Sequence, residues 1–151
     1  MKKLFDKVLC PVDFDAPSMA ALDLAREIAE QNGATLCVLH VAPLPINATE
    51  ISPLPMDPYP VWEQVAKVSL EKVAAEHLEG RSIAYKVETR SGEASVGILN
   101  QADELDADLI VMATHGRKGK SHFLIGSVAE RVIRRSSRPV LVVGRTERVE
   151  T

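Results

Sequence analysis

The stretch from Asp108 to Ser127, DLIVMATHGRKGKSHFLIGS, constrains this chain more than any other. Leu109 to Ala113 are five apolar residues in a row, a pattern that suits a strand covered on both faces of a parallel sheet. A loop follows that holds Gly116 and Gly119 and gathers His115, Arg117, Lys118, Lys120 and His122. The stretch closes on Gly126-Ser127, where a new helical pattern begins. No Asp or Glu stands between Leu109 and Ala129, although the chain as a whole carries a net charge of −3. Strand, basic glycine-bearing loop and helix start together build an anion site, because unpaired N–H groups and the helix dipole face the ligand. The expected ligand group is a phosphate.

Gly119-Lys120-Ser121 imitates the end of a P-loop, but a Walker loop needs a glycine five residues before Gly119, and Thr114 stands there. The helix also starts near Ser127 rather than directly after Lys120. A Walker-type NTPase is therefore not expected. The glycines that keep a pattern are Gly116 and Gly126, nine residues apart in the intervening sequence, with Ser127 next.

In that spacing the chain resembles the universal stress protein family, whose ATP-binding members carry G-x2-G-x9-G-(S/T). Ala113-Thr-His-Gly116, nine residues and Gly126-Ser127 match it here, with Ala113 in place of the first glycine. The likeness extends to Leu9-Cys-Pro-Val-Asp13, to Leu39-His-Val41, and to the run from Gly126-Ser-Val-Ala-Glu-Arg to Arg138-Pro-Val-Leu-Val-Val143. It spans essentially the whole chain, and the motifs come in the family's order. Ala113 puts a methyl group where the nucleotide is expected to lie close to backbone.

The resemblance implies an α/β, Rossmann-like fold: an open five-stranded parallel sheet of order 3-2-1-4-5 with helices on both faces. It implies ATP as ligand, with or without Mg²⁺. The implied site is formed by Pro11, Val12, Asp13, Val41, Met112 and Ala113, then His115, Gly116, Arg117 and Gly119, and finally Gly126, Ser127 and Val128. Asp13 faces the adenosine part in that scheme, backbone near Val41 reads the adenine edge, and the glycines with Ser127 and Val128 hold phosphate. The implied function is that of a small stress-response regulator or sensor acting through a protein partner that the sequence does not name.

Composition sets the outer bounds. The 151 residues, 46% apolar and 26% charged, suit a single globular domain over 1–151 with a real core. A pI near 5.8 gives no general reason to expect nucleic acid as a partner. No run of 18 apolar residues exists, so no membrane span is expected. The N-terminus meets Asp6 and Lys7 before any signal-peptide core forms, which points to a cytoplasmic protein. Cys10 and Cys37 fall inside apolar strand patterns and are expected as buried free thiols.

Along the chain, Lys7 to Val12 reads as the first strand, with Asp13 at its carboxyl end, where open α/β sheets place ligands. Asp15, with Pro17 just inside the helix, suits a helix cap, which leaves Asp13 for the ligand. Met19, Leu22, Ala25, Ile28 and Ala29 form the first helix's apolar face, and Gly33 ends it. Thr35 to Ala42 is the second strand, in which His40 is expected as a hydrogen-bonded core residue.

Pro43 to Pro60 holds six prolines in eighteen residues and is compatible with a lid or with a stiff surface connection. Trp62 and the spacing of Val61, Val65 and Val68 open a second helix that Gly80 stops. Ile83 to Thr89 alternates and is expected at a sheet edge. Val96, Leu99, Ala102 and Leu105 mark the third helix, and Asp103 to Asp108 reads as a solvated acidic turn. Val128, Val132 and Ile133 face inward from the last helix, where Ser127 and Glu130 match a capping box. Arg131, Arg134, Arg135 and Arg138 read as a solvated basic face. Val140 to Val143 is a fifth strand at an edge, where pairing with a second copy makes a homodimer.

A phosphoacceptor receiver domain, of similar length, needs an Asp ending strand three and a Lys ending strand five. Those positions read Glu88-Thr89-Arg90 and Gly144-Arg145, so that plan fails. Three functions stay open: an ATP-binding regulator, a dimeric family member that does without nucleotide, and an enzyme, such as a slow ATPase, using His115. No Ser or Cys nucleophile has an evident His partner, which ranks the enzyme last.

Overall fold

The computed structural model describes residues 3–43, 59–114 and 125–144, with the backbone alone for 59–61. Strands and helices alternate through them: β1 (Lys7–Pro11), α1 (Ala16–Asn32), β2 (Thr35–Ala42), α2 (Tyr59–Leu78), β3 (Ala84–Ser91), α3 (Ala94–Leu105), β4 (Leu109–Ala113), α4 (Ser127–Arg135) and β5 (Val140–Val143). The strands form one sheet of order β3-β2-β1-β4-β5, and every neighbouring pair is parallel.

The apolar strands sort their side chains onto two faces, as the two-residue period of a strand requires. Val8, Cys10, Leu36, Val38, Leu109 and Val111 face one way, onto Leu22, Ala25 and Ala29 of α1 and Leu70, Ala74 and Leu78 of α2. Leu9, Cys37, Leu39, Ile110 and Met112 face the other, onto Ile98 and Ala102 of α3 and Ala129 and Val132 of α4. Both cysteines are buried free thiols. Burial pushes the Cys10 thiol far above its ordinary pKa, and it pushes Cys37 up to about 11.

The face of α4 differs from the sequence expectation, and α2 and α3 also turn apolar residues outward. Trp62, Val65 and Val68 point outward, Trp62 with 66% of its surface exposed, and full burial on α2 begins only at Leu70. On α3 the inward side is Ser95, Ile98, Gln101 and Ala102, and Val96 faces solvent. Ile133 of α4 is 42% exposed, and Val132 with Ala129 makes the contact. In each case apolar residues stood on two sides of the helix, and the sheet covers one.

The acidic turn before β4 is exposed, as expected, and also serves as a set of pegs. Asp108 accepts the N–H groups of Asp6 and Lys7 at 2.8 and 2.9 Å, tying the start of β4 to that of β1. Those backbone bonds hold its carboxyl below the usual carboxylate range. Asp106 ends α3 in the left-handed conformation at φ 54°. Arg138 reaches back to it, to Asp103 and to the Ala107 carbonyl, so it is not part of a solvated basic face. Arg131 pairs with Glu93 and Arg134 with Glu130.

The order places β1 beside β4, where the winding of the sheet reverses. From β1 the chain moves outward through β2 to β3, then α3 returns it to the far side of β1. The carboxyl ends of β1 and β4 therefore part their loops to opposite sides and leave a crevice between them.

Candidate functional site

A cavity of about 240 Å³ opens in that crevice. Pro11, Val12 and Asp13 from the end of β1 and Met112, Ala113 and Thr114 from the end of β4 form its floor. His40 and Val41 close the β2 side, Ala94 and Ile98 of α3 make one wall, and Gly126, Ser127, Val128 and Ala129 make another. Of the site residues read from sequence, Pro11, Val12, Asp13, Val41, Met112, Ala113, Gly126, Ser127 and Val128 thus meet around one space. His115, Gly116, Arg117 and Gly119 lie outside the described residues, as does most of the proline-rich segment.

Pro11 has no N–H to give, and the pairing of β1 with β2 closes one residue later, where the Val12 N–H donates to the Leu39 carbonyl at 2.8 Å. The turn that follows is held by a relay. The Asp13 N–H donates to the Ser18 hydroxyl at 3.2 Å, that hydroxyl donates to the Asp15 carbonyl at 3.0 Å, and the Asp15 N–H donates to Asp13 Oδ1 at 3.1 Å. The last bond is an Asx turn, and it accompanies a left-handed φ of 67° at Phe14. Asp13 is therefore not free of structural duty, as the sequence had suggested. One carboxylate oxygen shapes the loop. Asp15 does occupy the N-cap position of α1, but no cap hydrogen bond comes from its side chain.

His40 is the functional candidate that sequence reasoning passed over. Its Nδ1 lies 2.8 Å from the Val12 carbonyl, which can only accept, so Nδ1 carries the proton. In the neutral ring Nε2 is then an acceptor. The ring packs against Phe14 with centroids 4.5 Å apart, which braces the strained turn from the cavity side. The sequence placed His40 in an apolar run as a hydrogen-bonded core residue and did not show that its ring lines the cavity next to Val41. Ser18, Thr114, Ala94 and Ile98 were missed for the same reason.

Two helix N-termini border the cavity, and they are satisfied differently. At α3 the Glu93 carboxylate accepts the N–H groups of Ser95 and Val96 and the Ser95 hydroxyl. The Ser95 hydroxyl bond is the largest influence keeping the Glu93 carboxyl below its usual range. At α4 the N-cap is Gly126, which has no side chain to offer, and no side-chain cap bond forms. The expected capping box fails because α4 starts one residue early, which puts Ser127 inside the first turn and leaves Glu130 to pair with Arg134. The first N–H groups of a helix have no partner within it, and among the described residues no side chain caps those of α4, which border the cavity.

The two walls are fixed to each other and to the sheet. Arg131 of α4 reaches Glu93 at 3.2 Å, and the Gly126 N–H donates to the Thr114 carbonyl at 2.6 Å. Thr114 in turn donates its N–H to the Val143 carbonyl of β5 at 3.1 Å. The cavity combines an apolar floor, a carboxylate, an imidazole and an uncapped helix start. It can receive a flat, partly apolar ring at the β2 side and an anion at α4.

The model of the Universal stress protein family matches residues 4–144. Among curated proteins, the chain is 30% identical to universal stress protein MJ0531 of Methanocaldococcus jannaschii, over 94% of this chain and 84% of that one. It is 29% identical to YxiE of Bacillus subtilis, over 93% and 99% of the two chains. Among solved structures it superposes on protein MJ0577 with a TM-score of 0.82 at 27% identity, covering 96% of this chain and 99% of that one. The fold is also that of a universal stress protein in complex with cAMP, at TM-score 0.68 and 24% identity over 93% and 97% of the chains.

Proposed function

The chain belongs to the universal stress protein family, and from that premise we propose that it is a stress-response regulator that binds an adenine nucleotide, ATP, in the cavity between β1 and β4. One observation carries the reading. The N-terminus of α4, capped by no side chain, opens onto the same space as Asp13 and Val41, so anion and nucleoside subsites share one crevice. Asp13 and the backbone at Val41 take the adenosine end. Gly126, Ser127 and Val128 take phosphate, and His115, Gly116, Arg117 and Gly119 complete the phosphate side. The fold holds a cyclic adenine nucleotide in one relative and dAMP in another from Archaeoglobus fulgidus, which is consistent with this choice of base.

The residues fit such a ligand in charge as well as shape. Between Leu109 and Ala129 the chain carries no acid to repel a phosphate. Bound Mg²⁺ would travel with the phosphates, and Asp13 is the carboxylate nearest to hand among the described cavity residues. The protein signals, in this reading, by presenting different surfaces to a partner with and without nucleotide. We place it in the cytoplasm as a single domain. Among the described residues no helix is long and apolar enough to cross a membrane.

Ala113 favours a second reading, in which the protein folds and pairs like its relatives without nucleotide. Its methyl group stands at the cavity floor where the family's ATP-binding pattern has glycine. Native mass spectrometry of the purified protein separates the two readings. A retained adenine nucleotide is expected. A bare protein that also fails to take up ATP at about millimolar concentration, well above ordinary affinities, supports the second reading. Gain of binding by Ala113→Gly would then assign the loss to that methyl group.

A further inference from the structure

We infer that Gly97 sets the depth of the nucleoside end of the cavity, by leaving room on α3 for the side chain of Val41. The inference rests on the nucleotide reading above and adds a residue that touches no ligand. Gly97 lies on the buried side of α3, one position before Ile98 and one turn after Ala94, both of which line the cavity. A Cβ built on Gly97 would stand 2.8 Å from Val41 Cγ2 and 2.9 Å from Val41 Cγ1. Real Cβ atoms do not come that close, so an added methyl forces a movement.

Three responses are conceivable, and two are blocked. Val41 cannot rotate away. Its Cβ has three staggered positions, the two now filled both abut Gly97, and every other rotamer refills one of them. Nor can the strand retreat. Val41 is paired with Arg90 and Ala42 with Ser91, and the Gly92 N–H donates to the Ala42 carbonyl at 2.9 Å. The remaining response is for α3 to shift outward. Its anchor there is Gln101, which accepts from Arg90 Nε at 2.7 Å and donates to Cys37 Sγ at 3.8 Å. The Glu93–Arg131 pair at the helix start is exposed and a weaker tie than Gln101, so the first turns of α3 swing about Gln101 and carry Ala94 and Ile98 away from the ligand.

Glycine in a helix interior is itself unfavourable relative to alanine, so helix propensity offers no reason for it here. Close approach to Val41 does. Calorimetry with adenosine, AMP and ATP tests this on the parent, on Gly97→Ala, on Val41→Ala and on the double variant. Gly97→Ala is expected to weaken all three ligands by the same factor, about tenfold for a displaced wall, because the fault lies at the part they share. The double variant should bind all three better than Gly97→Ala alone, since Val41→Ala removes the methyl groups in conflict. A merely structural role for Gly97 would instead lower the urea midpoint and leave the affinity of the folded protein for all three ligands unchanged.

Unchanged binding in Gly97→Ala, a loss that grows with phosphate number, or no relief in the double variant overturns the inference and leaves the nucleotide reading standing. A parent that binds none of the three overturns the nucleotide reading and this inference with it. Should Gly97→Ala lose its helical circular dichroism, recovery of both spectrum and binding in the double variant sustains the inference. Recovery of neither refutes it.

Discussion

The N–H of Gly126 donates to the carbonyl of Thr114 at 2.6 Å, so the last described residue of the β4 end and the cap of α4 are joined across one hydrogen bond. The chain leaves β4 and returns to start α4 within a single bond's length, which is what brings the helix dipole over the sheet's carboxyl edge. Gly126 has φ −58° and ψ 151°, a conformation open to any residue. Its glycine character is therefore not required by the backbone. Close approach of a ligand is the reason the proposed function supplies.

Gly126→Val follows directly as a test of the phosphate subsite. The substitution leaves backbone and strand pairing undisturbed, so the circular dichroism spectrum should match the parent's. Affinity for ATP should fall about a hundredfold or more, the loss of two or three good contacts to a charged group. Adenosine, which carries no phosphate, should lose far less. Equal retention of ATP affinity would remove Gly126 from the site.

How much of this was legible beforehand depends on what each element presents. The limits of β2, β4 and β5 were read correctly because each is an apolar run punctuated by polar residues or proline. Gly33 and Gly80 were read as helix ends, and both adopt left-handed φ angles of 61° and 77°. The sequence singled out no inward face for α2 and α3, because Trp62, Val65 and Val96 are as apolar as the residues that pack. Which stripe is covered depends on where the sheet ends. The loop role of Asp13 and the ion pairs of Arg138 were not legible for another reason: their partners, Asp15 N–H for one and Asp103, Asp106 and the Ala107 carbonyl for the other, are set by turns that no periodicity reports.

Asp108 gives the protein a built-in acid sensitivity. Bonds from the Asp6 and Lys7 N–H groups lower its folded pKa below the unfolded value. The stability they contribute is present above the ordinary carboxylate pKa, near pH 4, and is lost as pH falls through the lower folded value. Asp108→Asn keeps the shape but not the charge. It should cost about 1 kcal/mol at neutral pH, a figure kept small by the exposure of the carboxylate. The deficit should shrink toward nothing in acid. Urea titrations of parent and variant at several pH values would show the two curves converging, and parallel curves would deny Asp108 the role.

Strand β5 closes one side of the sheet with Val140–Val143, and Leu141 is exposed there. An uncovered apolar edge invites a second chain, and pairing of identical edges is the economical way to bury it. Light scattering should therefore give a mass near twice 16.5 kDa. Leu141→Lys places a charge at the contact and should shift the equilibrium to monomer. A parent that is monomeric at micromolar concentration would dismiss the homodimer.

The last expectation is that bound ATP is kept rather than consumed. Fast phosphoryl transfer needs a group that positions the attacking water and charges that stabilise the leaving phosphate. The cavity's described carboxylate is Asp13, and one of its oxygens is occupied by the Asp15 N–H. In the proposed binding mode it stands at the nucleoside end, with the phosphates toward α4 on the other side of the crevice. His40 is turned to the same end, its Nδ1 proton given to the Val12 carbonyl. Neither group is placed to activate water at a terminal phosphate, so turnover should lie far below the ~1 s⁻¹ of ordinary enzymes. Single-turnover measurement of phosphate release should find ATP intact over hours. A steady-state rate at or above that value, lost in Asp13→Asn or His115→Ala, would instead make this protein an ATPase.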